Sequence, residues 1–197
     1  MRLFVAIDLE DAIRDEIRRF IDIARGFAPQ VRWVEPESLH VTLKFIGEQP
    51  DAKLDEVHKA LSSISMEEFQ LRFRDCGFFP TPRAARVFWV GIEAERGLLE
   101  LQMAVERALE KIAIPREKRA YSPHLTLARE GSGAPRWRKG NHLNQRFTPL
   151  QRYLAGNAAP EFGSMPAREF LLYRSQLSRQ GSRYTKIGRF DLHSATD

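Results

Sequence analysis

The sequence predicts one α+β domain of 197 residues, built from a duplicated β-α-β unit. Three observations support this fold class. Strand-like and helix-like apolar patterns follow one another in a similar order twice along the chain. No segment of linker composition separates the two series, so we expect residues 1–197 to form one bilobal domain with a shared cleft. A short motif, His-x-Thr-x with apolar x, occurs once in each series, at His40 and at His124.

The first series is predicted from hydrophobic period and turn residues. Residues 2–9 form a nearly continuous apolar run, which is typical of a buried strand. Apolar residues then recur at helical spacing from Glu10 to Phe27, and Gly26 and Pro29 end that helix. The series continues with strands at 31–34 and 39–47 and a helix that Asp51 caps.

The second series begins with a hairpin. Residues 69–79 and 86–92 alternate as strands, and the Pro-rich segment between them is a turn. The series continues with a helix at 97–114, a strand at 124–129, and a second hairpin of strands at 169–177 and 184–192. Residues 130–167 are rich in Gly, Pro, Asn and Arg, and we expect irregular structure there around at most one short helix near 140–150.

Positive charge is concentrated towards the C-terminal end. Residues 116–190 hold 15 Lys/Arg and four Asp/Glu, whereas the other 122 residues hold 16 Lys/Arg and 22 Asp/Glu. The first group therefore carries a net charge of +11 and the second a net charge of −6. This asymmetry favours a polyanionic partner, but charge alone does not choose between nucleic acid, a nucleotide and a membrane surface.

Cysteine usage and hydropathy indicate a cytoplasmic protein. Cys76 is the single cysteine, so an intrachain disulfide is excluded, and we expect a small packed thiol in a reducing compartment. No stretch approaches the roughly 20 apolar residues needed to span a membrane. The apolar N-terminal run is interrupted by acidic residues, which is atypical of a signal peptide.

The two motifs place an imidazole and a hydroxyl on the same side of each strand. Because strand side chains alternate, His40 and Thr42 share one face, and His124 and Thr126 share another. Alternation also predicts Lys44 on the His40 face, where it would either bind phosphate or lie exposed, with Val41, Leu43 and Phe45 behind. Strict alternation puts Arg129 on the face opposite His124, so Arg129 could reach the His124 face only if the strand ended or twisted after Leu127.

One histidine in a strand is most simply a structural residue, but a duplicated His-x-Thr-x pair favours a functional site. Zinc is an alternative for paired histidines, yet a zinc site usually has a third protein ligand. Neither motif has an acidic cluster, a C-x-x-C or an H-E-x-x-H beside it. We therefore expect no metal and no cofactor.

Two histidines and two threonines suit phosphodiester chemistry. Free imidazole has a pKa of about 6.5, so one ring can accept a proton from water while the other donates a proton to the departing oxygen. Threonine hydroxyls can donate to the non-bridging phosphate oxygens. A strained 2',3'-cyclic phosphate is a suitable substrate for such a site without a metal.

These motifs resemble the 2H phosphoesterase superfamily, and in particular the bacterial and archaeal RNA 2',3'-cyclic phosphodiesterases once called 2'-5' RNA ligases. The similarity extends over most of the chain, in RLFVAIDL, WVEPESLHVTLKFIGE, YSPHLTLAR and LYRSQLSRQGSRYTKIGRF. The resemblance implies a LigT-like fold, with curved antiparallel sheets around a central cleft and helices outside.

The resemblance also implies roles that spacing leaves open. His40 would be the proton donor and His124 the proton acceptor, and Arg129 would bind the phosphate with the two threonines. The product would be a 2'-phosphomonoester, and reversal would join RNA ends, such as tRNA halves, through a 2'-5' linkage. The expected partner is RNA ending in a 2',3'-cyclic phosphate, and the expected state is a monomer.

Two other functions remain open from the sequence. One is a 2H phosphodiesterase for 2'-5' oligoadenylate or small cyclic nucleotides, and the other is a catalytically silent RNA-binding protein. Trp137, flanked by Arg136, Arg138 and Lys139, forms a basic aromatic patch that could grip single-stranded RNA, and His142 lies nearby. Tyr121 is expected to line the cleft, whereas Trp33 and Trp89 are expected in the core.

Overall fold

The fold is taken from a computed structural model, which describes residues 1–94, 96–131, 145–178 and 181–194. These described residues include nine strands: β1 Arg2–Asp8, β2 Arg32–Trp33, β3 His40–Glu48, β4 Phe69–Phe79, β5 Val87–Ala94, β6 His124–Arg129, β7 Glu161–Ala167, β8 Glu169–Ser178 and β9 Gly181–Asp191. Four helices accompany them: α1 Asp11–Arg25, α2 Leu54–Ser62, α3 Arg96–Glu110 and α4 Thr148–Ala155.

The strands form two antiparallel sheets, which confirms the α+β class and the sheet type. Sheet A has four strands in the order β3-β1-β8-β9, and sheet B has five in the order β2-β6-β5-β4-β7. Each sheet draws strands from both series, since β8 pairs with β1 and β2 pairs with β6. The two His-x-Thr strands thus lie in different sheets, β3 at the edge of sheet A and β6 inside sheet B.

Helices cover one face of each sheet. The apolar stripe of α1 packs on sheet B, where Phe20 contacts Phe88 and Phe162. The helix α3 packs against β3, and α2 packs against α3 and β9. One large apolar core fills the space between helices and sheets, and a separate small cluster of Phe4, Ala6, Leu171 and Tyr173 lies on the opposite face of sheet A.

Three details differ from the sequence predictions. The strand β7 lies within the stretch predicted to be irregular, because Gly163 at φ 101° and a bulge opposite β4 break its alternation. The helix α3 ends at Glu110, and residues 111–113 turn instead, with Ala113 at φ 63°. Asp51 caps no helix through its side chain and lies 3.8 Å from the N-terminal amine.

A bulge in each motif strand reverses the side-chain alternation. In β3, two consecutive residues of β1 pair with Thr42 and Lys44. In β6, two consecutive residues of β5 pair with Thr126 and Ala128. The residue that is passed over is the leucine of the motif in both strands, Leu43 and Leu127. Lys44 and Phe45 therefore lie on the face opposite to the one that strict alternation predicts, and so do Ala128 and Arg129. A second bulge in β3, at Ile46, shifts its register again.

Candidate active site

The two motifs meet in one cleft between the sheets. The cleft has a volume of about 370 Å³, and its lining includes all five residues proposed from the sequence: His40, Thr42, His124, Thr126 and Arg129. A larger depression of about 860 Å³ lies between β4 and α3, and neither histidine lines it. The five residues proposed from the sequence are thus gathered in the smaller cleft.

The two bulges determine which residues after each motif line this cleft. Arg129 lies on the His124 face, because the bulge at Leu127 breaks the strict alternation that would put it opposite. Its Nη2 donates to Thr126 Oγ1 at 3.4 Å. Phe45 occupies the corresponding place in the first motif, five residues after its histidine, and is 63% exposed. The prediction that Phe45 lies behind the strand was therefore wrong.

Lys44 lies on the other side of its strand. It is 4% exposed, and its Nζ donates to Glu106 Oε2 at 2.6 Å and to the carbonyl of Pro115 at 2.9 Å. Neither alternative for Lys44, a phosphate ligand or an exposed lysine, is correct. The bulge at Leu43 turns its side chain into the interior, where Glu106 neutralises the charge.

Both imidazoles are oriented in the same way. The Nδ1 atom of His40 lies 2.7 Å from the carbonyl oxygen of Ser38, and the Nδ1 atom of His124 lies 2.7 Å from that of Ser122. A carbonyl oxygen only accepts, so Nδ1 carries the proton in each neutral ring. The atom that gains and loses a proton is then Nε2 in both histidines.

Burial is the main influence on both histidines, and it lowers the pKa of each ring below the ordinary value of 6.5. The serine carbonyls act in the opposite direction, and the Arg129 guanidinium lowers the pKa of both rings further. Asp8 lies directly opposite His40 on β1 and raises the pKa of His40 alone. Among the described residues, no carboxylate raises the pKa of His124.

Asp8 is a site neighbour that sequence reasoning missed. Its carboxylate accepts from Arg14 Nη2 at 2.7 Å and pairs with Lys186 of β9. These two cations hold the pKa of Asp8 below its usual range, although burial acts against them, so the group is charged at neutral pH. The pairing of β1 with β3, which brings Asp8 to His40, is a long-range contact that a local pattern does not contain.

An aromatic cluster forms the floor of the cleft on the side of sheet A. The ring of Phe4 contacts His40 at 4.8 Å, stacks on Tyr173 at 4.9 Å and meets Tyr184 edge-on at 5.1 Å between ring centroids. Phe45 and Tyr184 line the cleft beside His40. This surface, called here the sheet A platform and defined by Phe4, Phe45 and Tyr184, can stack a planar ring next to the first motif.

Other sequence candidates lie elsewhere. Tyr121 is half-buried below the cleft, and its hydroxyl donates to the backbone carbonyl of Thr42 at 2.9 Å. Trp33 packs on the core as predicted, but Trp89 lies half-buried on the cleft face of sheet B, so its core placement was wrong. Trp137 with its basic neighbours and His142 lie outside the described residues.

Cys76 is half-buried, and burial raises the pKa of its thiol to about 11, which disfavours a reactive thiolate. Within the described ranges, no three His, Cys, Asp or Glu side chains group as a metal site would require. In that same part of the chain, no helix is long and apolar enough to cross a bilayer.

Comparison with known proteins places this geometry in a family. The model of the family described as LigT like Phosphoesterase matches the chain in two consecutive segments, residues 7–89 and 90–184, with one His-x-Thr motif in each. The RNA 2',3'-cyclic phosphodiesterase of Methanothermobacter thermautotrophicus is 35% identical over 194 residues, covering 98% of this chain and 99% of that protein. The protein of the same name from Archaeoglobus fulgidus is 31% identical over 191 residues, covering 97% of this chain and all of that protein.

Solved structures agree with the sequence relatives. The protein TT0787 of Thermus thermophilus superimposes with a TM-score of 0.78 at 30% identity, over the whole of both chains. The LigT of E. coli in complex with 3'-AMP gives a TM-score of 0.75 at 30% identity and covers 97% of each chain. The two-sheet architecture around the motif cleft is therefore a known one.

Proposed function

Because the chain belongs to the LigT-like phosphoesterase family of the 2H superfamily, we propose that it hydrolyses RNA 2',3'-cyclic phosphate ends to 2'-phosphomonoesters without a metal ion. The observation that carries the proposal is the convergence of two His-x-Thr strands and Arg129 on one cleft. The relatives named above carry the same activity in their names. Reversal of the same chemistry would join a 5'-hydroxyl RNA through a 2'-5' linkage.

The reaction needs one neutral and one protonated imidazole. We assign His124 as the general base, whose Nε2 takes the proton of the attacking water, and His40 as the general acid, whose Nε2 gives a proton to the departing 3'-oxygen. Asp8 supports this assignment, because its carboxylate raises the pKa of His40 and not that of His124. An anionic phosphate bound between the rings would favour the protonated form further.

The phosphate is held by uncharged and charged donors together. The hydroxyls of Thr42 and Thr126 line the cleft on either side, and each can donate to a non-bridging oxygen. Arg129 adds a cationic donor to the same cleft, where its charge lowers the pKa of both histidines. Such preorganised donors stabilise the negative charge that develops on the non-bridging oxygens when phosphorus becomes pentacoordinate.

The sheet A platform supports a nucleic acid end as the substrate. Phe45 is exposed and Tyr184 is half-exposed beside His40, so a nucleobase attached to the reacting ribose can stack there. Stacking accepts every base, which suits RNA ends of mixed sequence. A 3'-AMP complex of E. coli LigT is consistent with a mononucleotide fitting a site of this architecture.

The test uses a 5'-labelled RNA that ends in a 2',3'-cyclic phosphate, with EDTA present throughout. Wild type should convert it to the 2'-phosphate, and His40→Ala and His124→Ala should each lower turnover by roughly 10² or more. His58→Ala, on the exposed side of α2, is the matched control and should keep full turnover. Loss of activity in EDTA with rescue by a divalent ion would disprove the metal-free mechanism.

The same assay separates the two alternatives. A mononucleotide 2',3'-cyclic phosphate turned over as fast as the long RNA would favour a nucleotide phosphodiesterase. RNA binding without cleavage, unchanged by either histidine substitution, would favour a silent binding protein. The net charge of +11 on residues 116–190 supports the RNA substrate.

A further inference from the structure

Sheet B carries a second aromatic surface on the other side of the histidine pair. Trp89 on β5 lies directly opposite Thr126 on β6, so the two side chains share the cleft face. Trp89 is half-buried and does not belong to the apolar core. The indole is therefore partly accessible on the face that it shares with Thr126.

On the neighbouring strand β4, a glycine leaves space for the indole of Trp89. Gly77 on β4 pairs with Trp89, and a Cβ atom built at Gly77 would lie 2.4 Å from the indole ring. No side chain larger than hydrogen fits under the ring there. The indole therefore covers the backbone of β4, and packing of this kind holds its orientation.

Phe79 connects this surface to the second histidine. Its ring lies 5.0 Å from Trp89 and meets His124 edge-on at 5.0 Å between centroids. The pair Trp89 and Phe79, called here the sheet B platform, stands beside His124 as Phe4 stands beside His40. The two platforms thus lie next to different members of the acid–base pair.

We propose that the sheet B platform is a second nucleoside subsite, which stacks the base of the nucleoside whose 5'-oxygen reacts at phosphorus. This inference rests on the proposed function and on the assignment of His124 as the base. In-line attack brings the nucleophile from the His124 side, so a nucleophile larger than water has its substituent on sheet B. Water needs no stacking surface, whereas a nucleoside 5'-hydroxyl does.

The transfer step is balanced without any further reactant. The 5'-oxygen of the acceptor forms a bond to phosphorus and gives its proton to His124 Nε2. The bond from phosphorus to the 3'-oxygen breaks, and that oxygen takes a proton from His40 Nε2. The products are a 2'-5' phosphodiester and a free 3'-hydroxyl, and the reverse step cleaves the same diester.

Positive charge near the sheet B platform suits an acceptor whose polyanionic chain extends beyond the first nucleoside. Arg83 and Arg86 are exposed on the connection between β4 and β5, the strands that carry the platform. The phosphates that follow the acceptor nucleoside would meet positive charge there. This is the arrangement expected for a single strand that stacks on an aromatic surface and runs along a basic edge.

The experiment measures partition between transfer and hydrolysis. An RNA with a 2',3'-cyclic phosphate is incubated with a saturating 5'-hydroxyl oligonucleotide, and the 2'-5'-linked and 2'-phosphate products are quantified together. Trp89→Leu keeps an apolar side chain but has no aromatic face, and it should lower the ratio of transfer to hydrolysis about tenfold or more. Trp89→Phe, the matched control, should retain most of the wild-type ratio.

The outcomes separate the inference from the proposed function. A wild-type protein that does not open the cyclic phosphate disproves the proposed function. A wild-type protein that hydrolyses but gives no 2'-5' product, and does not cleave a 2'-5' dinucleoside, overturns the second subsite alone. Equal product ratios in Trp89→Leu and Trp89→Phe overturn it as well, because only the aromatic face differs between the two variants.

Discussion

The hydroxyl of Tyr121 donates to the backbone carbonyl of Thr42 at 2.9 Å, and this hydrogen bond joins the segment that leads into the second motif to the first motif. Tyr121 precedes His124 by three residues, and Thr42 follows His40 by two. The strand β3 is an edge strand, so Tyr121 supplies a partner from outside sheet A. Burial raises the pKa of Tyr121, which keeps the hydroxyl a neutral donor across the pH range of the assays.

Tyr121→Phe should therefore lower kcat without changing KM. The lost hydrogen bond corresponds to about 0.5–1.5 kcal/mol, or a factor of roughly 2–10 in a step that depends on the spacing of the two rings. Steady-state kinetics on the cyclic phosphate RNA measures the change. Tyr153→Phe, whose ring stacks on Phe27 away from the cleft, is the control and should leave kcat unchanged. A change in KM alone would show that Tyr121 does not position the motifs.

The pH profile of kcat/KM should be bell-shaped and centred below neutrality. The rate rises as the base His124 loses its proton and falls as the acid His40 loses its own. Because burial lowers the pKa of both rings below 6.5, the rising and the falling limb of the profile should both lie at lower pH than free imidazoles would give. The kcat profile should extend to higher pH, since bound phosphate stabilises the protonated imidazole.

Asp8→Asn tests which histidine is the acid. The substitution removes a carboxylate that raises the pKa of His40, so that pKa falls and the alkaline limb of kcat/KM moves to lower pH. The acid limb, which reports His124, should stay in place. Glu10→Gln removes a carboxylate that pairs with Arg168 instead, and it should move neither limb. If Asp8→Asn moved the acid limb alone, the two roles would have to be exchanged.

Arg129 should affect both limbs and substrate binding together. Its guanidinium lowers the pKa of both histidines, so Arg129→Met should raise both and move the whole bell to higher pH. The loss of a charged donor to phosphate should lower kcat/KM by roughly 10–100-fold. Arg129→Lys keeps the charge, so its bell should stay near that of wild type while its rate still falls. An unmoved pH profile in Arg129→Met would contradict the effect of the guanidinium on the pKa of the two histidines.

The sequence predicted most elements because their signals are local. The apolar run of β1, the spacing in α1 and the alternation of β4 each need only neighbouring residues. Strict alternation fails at Lys44, Phe45 and Arg129 for one reason. A bulge is defined by pairing with the partner strand, so the residue pattern of a single strand does not predict it.

Long-range pairing explains the rest of what the sequence did not predict. Asp8 reaches His40 because β1 pairs with β3, and Trp89 faces the cleft because β5 pairs with β6. Loop-closure entropy and sheet order decide such contacts, and neither appears in composition or periodicity. The motif residues could be found in advance because duplication itself is visible in one sequence, through His40 and His124.

The buried pair of Lys44 and Glu106 yields a prediction about stability. Both side chains are nearly inaccessible, and Glu106 also accepts from Gln102 Nε2 at 3.3 Å and from the backbone N–H of Glu117 at 3.3 Å. Lys44→Met removes the cation and leaves an unpaired carboxylate in the interior. The free energy of unfolding should fall by about 3–5 kcal/mol, measured by urea denaturation.

A double variant separates charge burial from packing. Lys44→Met with Glu106→Leu replaces both charges by apolar groups, and it should recover most of the lost stability, since buried pairs replaced by apolar residues are often neutral. Lys53→Met breaks the more exposed pair with Glu56 and should change stability by about 1 kcal/mol or less. If the double variant were no more stable than Lys44→Met, the cost would arise from lost packing on α3. Recovery of stability with reduced turnover would instead indicate that the pair, through Pro115, holds the segment leading to Tyr121 and His124.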